Sequence, residues 1–235
     1  MCTGRVDLAF IFRSFYNGMD GVYIAGCRLN ECKYITQGNY HALNTVLLGK
    51  KIMEHIGLNP ERLRVEFMSS AEGSRFVETV NDFIKKVSAV GPFGKSEGLD
   101  EKGLKSKLDE VGRLVPYIKI VTRDKLSSRL KDPETWNQLF TKEEIDKLFS
   151  EIISYYIDPE KCQACMTCAR RCPVEAIISA KNQVHVIEQE KCIKCGTCLE
   201  VCPTKFSAVT KISGGPVPPP LPEDKRTIVR KGKEK

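Results

Sequence analysis

The chain has 235 residues, of which 41% are hydrophobic and 29% charged, and its formal net charge is +7. This composition is typical of a globular protein with one large domain or two small ones. No apolar run approaches the ~20 residues that a membrane-spanning helix needs, so the sequence predicts a cytoplasmic protein without a signal peptide.

The first part of the chain, residues 1–94, alternates helical periodicity with buried strands. A helix is predicted from Asp7 to Asn17, and a second helix, rich in apolar positions, ends before Gly57. The stretches GVYIAGC and RLRVEFMS are bounded by turn residues and rich in β-branched or aromatic side chains, so both are predicted to be buried strands.

A third helix is predicted after a capping box that runs from Ser69 to Glu72. Its buried apolar face should consist of Phe76, Val80, Phe83, Ile84 and Val87. The order helix, strand, helix, strand, helix indicates an α/β domain with a small parallel sheet. Because two strands make a marginal sheet, we expect a further piece of it upstream of Met1 or on a partner subunit.

Residues 95–156 are highly charged but keep a helical period, which predicts a helical linker. One apolar stripe is formed by Leu104, Leu108, Val111 and Leu114. A second capping box, from Thr141 to Glu144, opens another amphipathic helix. We expect these stripes to pack against a domain or a partner and the positive face to be solvated.

Eight of the eleven cysteines lie in two runs that repeat with a period of 30 residues. The runs are IDPEKCQACMTCARRCPVEAI from Ile157 and IEQEKCIKCGTCLEVCPTKFSAV from Ile187. Each contains C-x-x-C-x-x-C-x-x-x-C-P, in which three thiolates bind one cluster and the fourth cysteine binds the neighbouring cluster. Since cytosolic thiols stay reduced, metal binding explains these cysteines better than disulfides do.

The spacing therefore predicts two four-iron (4Fe-4S) clusters with crossed ligand sets. One cluster is expected on Cys162, Cys165, Cys168 and Cys202, and the other on Cys192, Cys195, Cys198 and Cys172. Zinc is the alternative, but tetrahedral zinc sites favour two pairs of ligands, whereas each run supplies three plus one. The pattern resembles that of bacterial two-cluster ferredoxins over residues 157–213, which implies an α+β ferredoxin-like domain.

Residues 214–235 are rich in proline and then in mixed charges, so we expect an extended tail that is ordered only where a partner holds it. The three histidines, His41, His55 and His185, form no cluster with a carboxylate or serine and are expected to be structural. Two bound clusters of charge about −2 each would lower the net charge to about +3. This argues against nucleic acid as a partner.

Four stretches of the first part, MCTGRVD, DGVYIAGCRLNEC, GNYHALN and LNPERLRVEFMSSAEGSRF, resemble the delta subunit of methyl-viologen-reducing hydrogenase. That family passes electrons to the flavin subunit of heterodisulfide reductase, and the likeness covers about residues 1–91. It implies a two-iron (2Fe-2S) cluster whose ligands include Cys2, Cys27 and Cys32. These are at most three of the four ligands required, and the choice between Cys27 and Cys32 stays open.

Two features depart from the family pattern. The motif around Cys2 follows a strand well inside the family's chains, so the resemblance implies an artificial or genuinely split start at Met1 and a missing ligand upstream or on a partner. Where the family tends to have histidine, this chain has Arg28 and Lys33, and such cations should favour thiolate at the neighbouring cysteines. The alternative is that all three cysteines are ordinary buried thiols.

The resemblance implies a non-catalytic electron-transfer subunit of an anaerobic hetero-oligomer that could bifurcate electrons. The donor would be a hydrogenase, a formate dehydrogenase or a similar oxidoreductase, and the acceptor would be a flavin subunit like that of heterodisulfide reductase. The sequence has no flavin or nucleotide fingerprint, so catalysis is expected in neighbouring subunits. One alternative is the related subunit of a tungsten-type benzoyl-coenzyme A reductase. Another is an iron–sulfur redox sensor that binds nucleic acid, although no helix-turn-helix pattern supports it.

Overall fold

The computed structural model describes residues 2–34, 38–129 and 132–227. Contacts divide the chain into two compact units, Met1–Leu148 and Phe149–Lys235, so the boundary falls inside the predicted linker. The predicted start at Met1 and the last residues of the predicted tail, 228–235, lie outside the described residues. Within the described ranges, no helix is both long and apolar enough to cross a membrane.

The first unit begins with the predicted alternation of helices and strands. Its elements are α1 (Leu8–Tyr16), β1 (Val22–Gly26), α2 (Asn39–Ile56), β2 (Leu63–Phe67) and α3 (Gly73–Val90). Asp7 caps α1 by accepting a hydrogen bond from the Ala9 N–H at 2.9 Å. Gly57 ends α2 in the left-handed conformation, with φ at 85°. The start of α1 and the end of α2 agree with the prediction.

The predicted small parallel sheet is confirmed. β1 and β2 are parallel, with a register that runs from Val22 opposite Leu63 to Gly26 opposite Phe67. α2 is the crossover between them and packs against β2 and α1. Because the carboxyl ends of parallel strands lie at one edge of a sheet, Cys27 is placed at this edge directly after β1. In open α/β sheets this is the edge at which ligands bind.

Both predicted capping boxes contain a capping hydrogen bond. The Ser69 N–H donates to the Glu72 carboxylate at 2.6 Å, and the Glu144 N–H donates to the Thr141 hydroxyl at 3.2 Å. α3 nevertheless begins at Gly73, which is after its box rather than within it.

α3 buries only part of its predicted apolar face. Phe83 and Val87 are buried, whereas Phe76 and Ile84 are 45% and 54% exposed. The prediction that the whole stripe is buried is therefore wrong. In the part of the chain that the structure describes, this sheet has two strands, and so narrow a sheet covers only one side of an 18-residue helix.

The remainder of the first unit is helical, as predicted for these residues. It contains α4 (Glu101–Val121), α5 (Arg123–Leu126), a 3-10 segment (Pro133–Gln138) and all but the last two residues of α6 (Lys142–Ser150). The four apolar positions predicted for the stripe on α4 are all buried, and α4 packs against α1. These helices therefore extend the core of the first unit.

The second unit repeats one small motif. Its elements are β3 (Ile153–Ile157), α7 (Thr167–Arg171), β4 (Ile177–Ile178), β5 (Val186–Ile187), α8 (Thr197–Glu200) and β6 (Val209–Ser213). β3 pairs antiparallel with β6, and β4 with β5. A shift of 30 residues carries β3 onto β5 and α7 onto α8, so each cysteine run has the same local setting. This confirms the α+β ferredoxin-like fold.

Part of the predicted tail lies against its own unit. The Val184 N–H donates to the Arg226 carbonyl at 2.8 Å, and Gln183 pairs with Thr227 in an antiparallel bridge. Arg226 Nε donates to the Leu221 carbonyl at 2.8 Å. Contrary to the expectation that a partner holds the tail, its last described residues are held by their own chain.

A buried ion pair fixes the segment that follows α3. Arg62 is fully buried and donates to the two Glu97 carboxylate oxygens at 2.6 and 3.2 Å and to the Asp20 carbonyl at 3.0 Å. Burial by itself would raise the pKa of Glu97, but the Arg62 guanidinium outweighs burial, and the pKa is lowered. Removing either partner would leave a buried charge without compensation.

We predict that Glu97→Gln lowers the free energy of unfolding by about 3–5 kcal/mol at neutral pH, because Arg62 loses its counter-charge. Since the Glu97 pKa is lowered from its usual 4.5, the pair stabilises above that pH, and the difference from wild type shrinks as pH falls below it. Urea unfolding measures this through the fluorescence of Trp136, the one tryptophan of the chain.

The matched control is Glu101→Gln, which removes the exposed partner of Lys105 and should leave stability nearly unchanged. Equal losses of unfolding free energy in the two variants would contradict the claim that burial makes the Arg62–Glu97 pair costly to break.

Candidate metal centres

Two cavities in the second unit are each lined by four cysteines. The first cluster cavity, with about 300 Å³ of empty volume, is lined by Cys162, Cys165, Cys168 and Cys202. The second cluster cavity, with about 330 Å³, is lined by Cys172, Cys192, Cys195 and Cys198. Each set takes three cysteines from one run and the fourth from the other, as in the crossed sets that the spacing predicts. Binding of iron by these thiolates stays a prediction.

The loops between the first three cysteines turn sharply at their middle cysteine. The residues that flank it adopt left-handed backbone conformations, with φ of 49° at Ala164, 64° at Met166, 58° at Lys194 and 83° at Gly196. A Cβ at position 196 would also lie 2.8 Å from the Tyr155 hydroxyl oxygen, so this turn needs glycine for space as well as for conformation. These turns let two-residue spacers bring three sulfurs to one cavity.

In each run a threonine stands two residues after the second cysteine and lies against the sulfur of that cysteine. The Thr197 hydroxyl is 3.3 Å from Cys195 Sγ. At the equivalent position of the first run, burial would raise the pKa of Cys165, but hydrogen bonds from the Thr167 side chain and N–H outweigh it, and the pKa is lowered. The first run thus favours a thiolate at Cys165.

Backbone N–H groups donate to two further sulfurs of the second cluster cavity. The Lys194 N–H lies 3.4 Å from Cys192 Sγ, and the Ala176 N–H lies 3.3 Å from Cys172 Sγ. Such donors offset the negative charge of thiolates and orient them toward a bound metal. Together with the four-thiol donor sets, they make the two cavities fit four-iron clusters.

Burial raises the pKa of Cys168 to about 11 and that of Cys198 to about 12. In the absence of metal these thiols therefore stay protonated at neutral pH. Because iron binds thiolates, cluster binding must displace their protons, and we expect cluster retention to weaken as pH falls.

Apolar side chains around the two cysteine runs separate the cavities from water. Ile177 and Val184 are buried, and Ile193 and Val201 are partly buried. Ile178, the neighbour of Ile177 in β4, is by contrast 41% exposed. Successive residues of a strand face opposite sides, so Ile178 points away when Ile177 faces inward.

Among the described residues, no group of three or more His, Cys, Asp or Glu side chains is arranged to hold a single metal ion. A four-iron cluster makes a different demand, since each of its four thiolates binds a separate iron atom. The sulfurs must therefore surround a cavity, as they do here, and need not converge on one point.

The structure also brings together the three cysteines of the first unit. Cys2 Sγ and Cys32 Sγ lie 3.8 Å apart, and Cys27 interacts with both. The Gly4 N–H donates to Cys2 Sγ at 3.4 Å. The group lies at the carboxyl edge of the parallel sheet, because Cys27 directly follows β1. Its role as a set of cluster ligands stays a prediction.

The expectation that cations favour thiolates at these cysteines fails at Cys27, whereas at Cys32 the pKa is lowered in the expected direction but by backbone hydrogen bonds. Arg28 pairs with Glu72 at 2.7 Å, which offsets its charge. Burial and the hydrogen bond with Cys32 raise the pKa of Cys27, so the prediction that Arg28 favours a thiolate there is wrong. Burial also opposes ionisation of Cys32, but hydrogen bonds from two backbone N–H groups outweigh it and lower the pKa.

Sequence reasoning missed one residue at the first cluster cavity. His185, expected to be merely structural, is 1% exposed, and its Nδ1 lies 3.3 Å from Cys168 Sγ. A comparison of the two runs locates it, because His185 stands two residues before Ile187 just as Tyr155 stands two residues before Ile157.

Two four-cysteine cavities in a ferredoxin-like fold define an iron–sulfur protein, and comparison with known proteins agrees. Residues 154–203 match the 4Fe-4S dicluster domain. Residues 1–91 match the family described as methyl-viologen-reducing hydrogenase, delta subunit. The chain belongs to this delta-subunit family and carries the dicluster domain in addition.

Two kinds of relative are similar to the chain. The F420-non-reducing hydrogenase vhu iron-sulfur subunit of Methanococcus maripaludis is 40% identical over 91 residues, which are 39% of this chain and 67% of that protein. The F420-non-reducing hydrogenase iron-sulfur subunit of Archaeoglobus profundus is 41% identical over 92 residues, 39% of this chain and 66% of that protein. One subunit of the ferredoxin/F420H2-dependent CoB-CoM heterodisulfide reductase of Methanosarcina acetivorans is 44% identical over 94 residues, which are 40% of this chain but 12% of that protein.

We predict that paired cysteine substitutions reveal the crossing of the ligand sets. Cys162→Ala with Cys202→Ala removes two residues from the first cluster cavity and should leave about four irons per chain, because the second set is intact. Cys192→Ala with Cys202→Ala removes one residue from each cavity and should lower the iron content further. Iron and sulfide analysis of anaerobically purified protein, with EPR after reduction, measures both.

If each run instead bound its own cluster, the ranking would be reversed. A higher iron content in Cys192→Ala/Cys202→Ala than in Cys162→Ala/Cys202→Ala would therefore contradict the crossed assignment.

Proposed function

We propose that this chain is a non-catalytic electron-transfer subunit that relays electrons between a donor oxidoreductase and a heterodisulfide-reductase-like flavin subunit. The donor would be a hydrogenase, a formate dehydrogenase or a similar enzyme. The setting would be an anaerobic, cytoplasmic hetero-oligomer that could bifurcate electrons.

The crossed cysteine sets are the observation that carries this proposal. Each cavity offers four thiols in an apolar surround, with hydrogen-bond donors aimed at the sulfurs. A bound four-iron cluster would supply one-electron transfer, with its total charge changing from about −2 to about −3. The residues of this chain would hold the sulfurs, exclude water and offset that charge, which are the tasks of an electron carrier.

The positions of two cysteines along α7 support a short distance between the two proposed clusters. Cys168, in α7, lines the first cluster cavity, and Cys172, at its carboxyl end, lines the second. Four residues of a helix rise only about 6 Å. An electron could therefore pass between the clusters inside the protein, without a mobile carrier.

The relatives support the kind of partner. In the heterodisulfide reductase protein of Methanosarcina acetivorans, the segment similar to this chain is 12% of a longer polypeptide. That segment is therefore covalently joined to the rest of a reductase polypeptide, whereas here the family region is joined to a dicluster domain. This likeness supports the same kind of neighbour for the family region of this chain. We infer that the first unit docks on a reductase protein of this type.

We further propose that Cys2, Cys27 and Cys32 are ligands of a two-iron cluster. Their proximity and their position at the ligand-binding edge of the sheet support this assignment. The fourth ligand would come from an upstream segment or from a partner chain. Such a cluster at the edge of the first unit would be the exit point toward the flavin subunit.

Two other functions make different predictions. A component of a benzoyl-coenzyme A reductase complex would carry electrons in the same way but would associate with a different acceptor. A redox sensor would bind nucleic acid, and its retention on DNA would fall steeply as salt rises.

Anaerobic stopped-flow mixing tests the proposal. The intact chain, loaded with clusters and reduced, is mixed with a purified flavin-containing subunit of a heterodisulfide reductase. We expect the flavin absorbance to fall at a rate that rises with the concentration of the chain. The Cys162→Ala/Cys202→Ala variant is the control and should slow this reaction, because one proposed cluster is removed.

A flavin that stays oxidised at every concentration of the reduced chain would count against the proposed acceptor. Salt-sensitive retention of the isolated chain on DNA, in the same preparation, would favour the redox sensor instead.

A further inference from the structure

A histidine lies against one ligand sulfur of the first cluster cavity. His185 is buried, and its Nδ1 lies 3.3 Å from Cys168 Sγ. Its other nitrogen, Nε2, is also buried and has no hydrogen-bond partner in the described part of the chain. The contact with Cys168 is therefore the one polar interaction of this ring that the described residues supply.

The 30-residue repeat relates His185 to Tyr155. His185 lines the first cluster cavity, and Tyr155 lines the second. The Tyr155 hydroxyl lies close to Gly196, and the His185 ring lies against the sulfur of Cys168. The two proposed clusters thus have different neighbours at equivalent positions.

The chemistry of a ligand sulfur decides which atom carries the hydrogen in this contact. A free thiol can donate to the ring, but an iron-bound thiolate has no proton and can only accept. A hydrogen bond in this contact with a cluster bound therefore requires the hydrogen on Nδ1 of His185.

We propose that His185 donates an Nδ1–H hydrogen bond to Cys168 Sγ and thereby raises the reduction potential of the cluster in the first cavity. The inference rests on the cluster assignment proposed above. A donor to a ligand sulfur stabilises the more negative, reduced form more than the oxidised form. The potential therefore rises without any transfer of the proton.

The proline-rich segment shields this hydrogen bond from water. Val217, Pro218, Pro220 and Leu221 line a mainly apolar cavity together with His185. The bond from the Val184 N–H to the Arg226 carbonyl holds the end of the segment beside His185. In a dry environment a hydrogen bond to a charged group is electrostatically stronger than in water. The effect of His185 should therefore exceed that of an exposed donor.

The second cluster cavity has a different neighbouring group. Lys194 occupies the position of Ala164 in the first run, and its ammonium donates to the Ser154 hydroxyl at 2.9 Å. The Lys194 ammonium would itself shift the reduction potential of the cluster in the second cavity. We therefore predict the shift that His185 causes in one potential, and not which of the two potentials is higher.

An EPR-monitored redox titration of the intact chain tests the inference with three variants. His185→Phe keeps an aromatic ring but removes the donor, and one of the two midpoint potentials should become more negative. A difference of 59 mV in one midpoint potential corresponds to a tenfold change in the equilibrium distribution of an electron between the two clusters. His185→Asn keeps a donor and should stay near wild type. Tyr155→Phe, the repeat-equivalent control, should leave the potential that responds to His185 unchanged.

A second measurement uses the wild-type protein and needs no amino-acid substitution. The chain has three histidines, and the rings of His41 and His55 bond to the Leu126 carbonyl and the Asp146 carboxylate. With ¹⁵N-labelled histidine, the reduced wild-type protein should show a nitrogen coupling to a cluster in pulsed EPR. This result decides the matter if His185→Phe fails to retain its first cluster.

Unchanged midpoint potentials in His185→Phe would overturn the inference, as would the absence of any histidine coupling in the wild type. Either result in a protein that holds two clusters leaves the proposed function standing. A protein that binds no iron or sulfide would instead overturn the proposed function itself.

Discussion

Four sulfurs must surround a four-iron cluster at nearly fixed positions, and in the second unit no single cysteine run lines a whole cavity. Each cavity takes its fourth cysteine from the other run. The antiparallel pairing of β3 with β6, which joins Ile157 to Val209, brings the beginning and the end of the unit together. Neither half of the repeat can complete its site alone, so folding of this unit and metal binding should be strongly coupled.

The first unit obtains its cysteine group in another way. A parallel sheet gathers the chain at the carboxyl ends of its strands, and Cys27 lies at this edge close to Cys32 and Cys2. The buried pair of Arg62 and Glu97 fixes the segment after α3 far more firmly than a surface ion pair could. One unit is thus organised by packing and buried charge, and the other by the geometry of its sulfur ligands.

Local signals predicted most of the elements. Asp7, Gly57 and the alternating apolar patterns set the first helices and strands, and the 30-residue repeat indicated the crossed cysteine sets, because these features depend on neighbours along the chain. Properties that depend on distant residues were harder to predict. Phe76 has the helical spacing of a core residue, but its exposure depends on how much sheet lies beneath α3.

The charges and contacts around the cysteines also depend on residues that are distant along the chain. Arg28 is adjacent to Cys27 in sequence, yet Glu72, far away along the chain, offsets its charge. His185 lies 17 residues from Cys168 along the chain, yet its Nδ1 lies 3.3 Å from the Cys168 sulfur in the folded protein. Pairing of distant charges and approach of a side chain to a sulfur require the tertiary structure.

Mössbauer spectroscopy of the anaerobically purified full chain, combined with iron, sulfide and zinc analysis, tests most directly whether the two four-cysteine cavities hold four-iron clusters. Two cubane clusters on the dicluster unit predict about eight irons, all in tetrahedral sulfur sites, with a matching amount of inorganic sulfide. Any two-iron cluster on the first unit would add to this total. Stoichiometric zinc in place of iron, or iron without inorganic sulfide, would contradict the binding of two four-iron clusters by this unit.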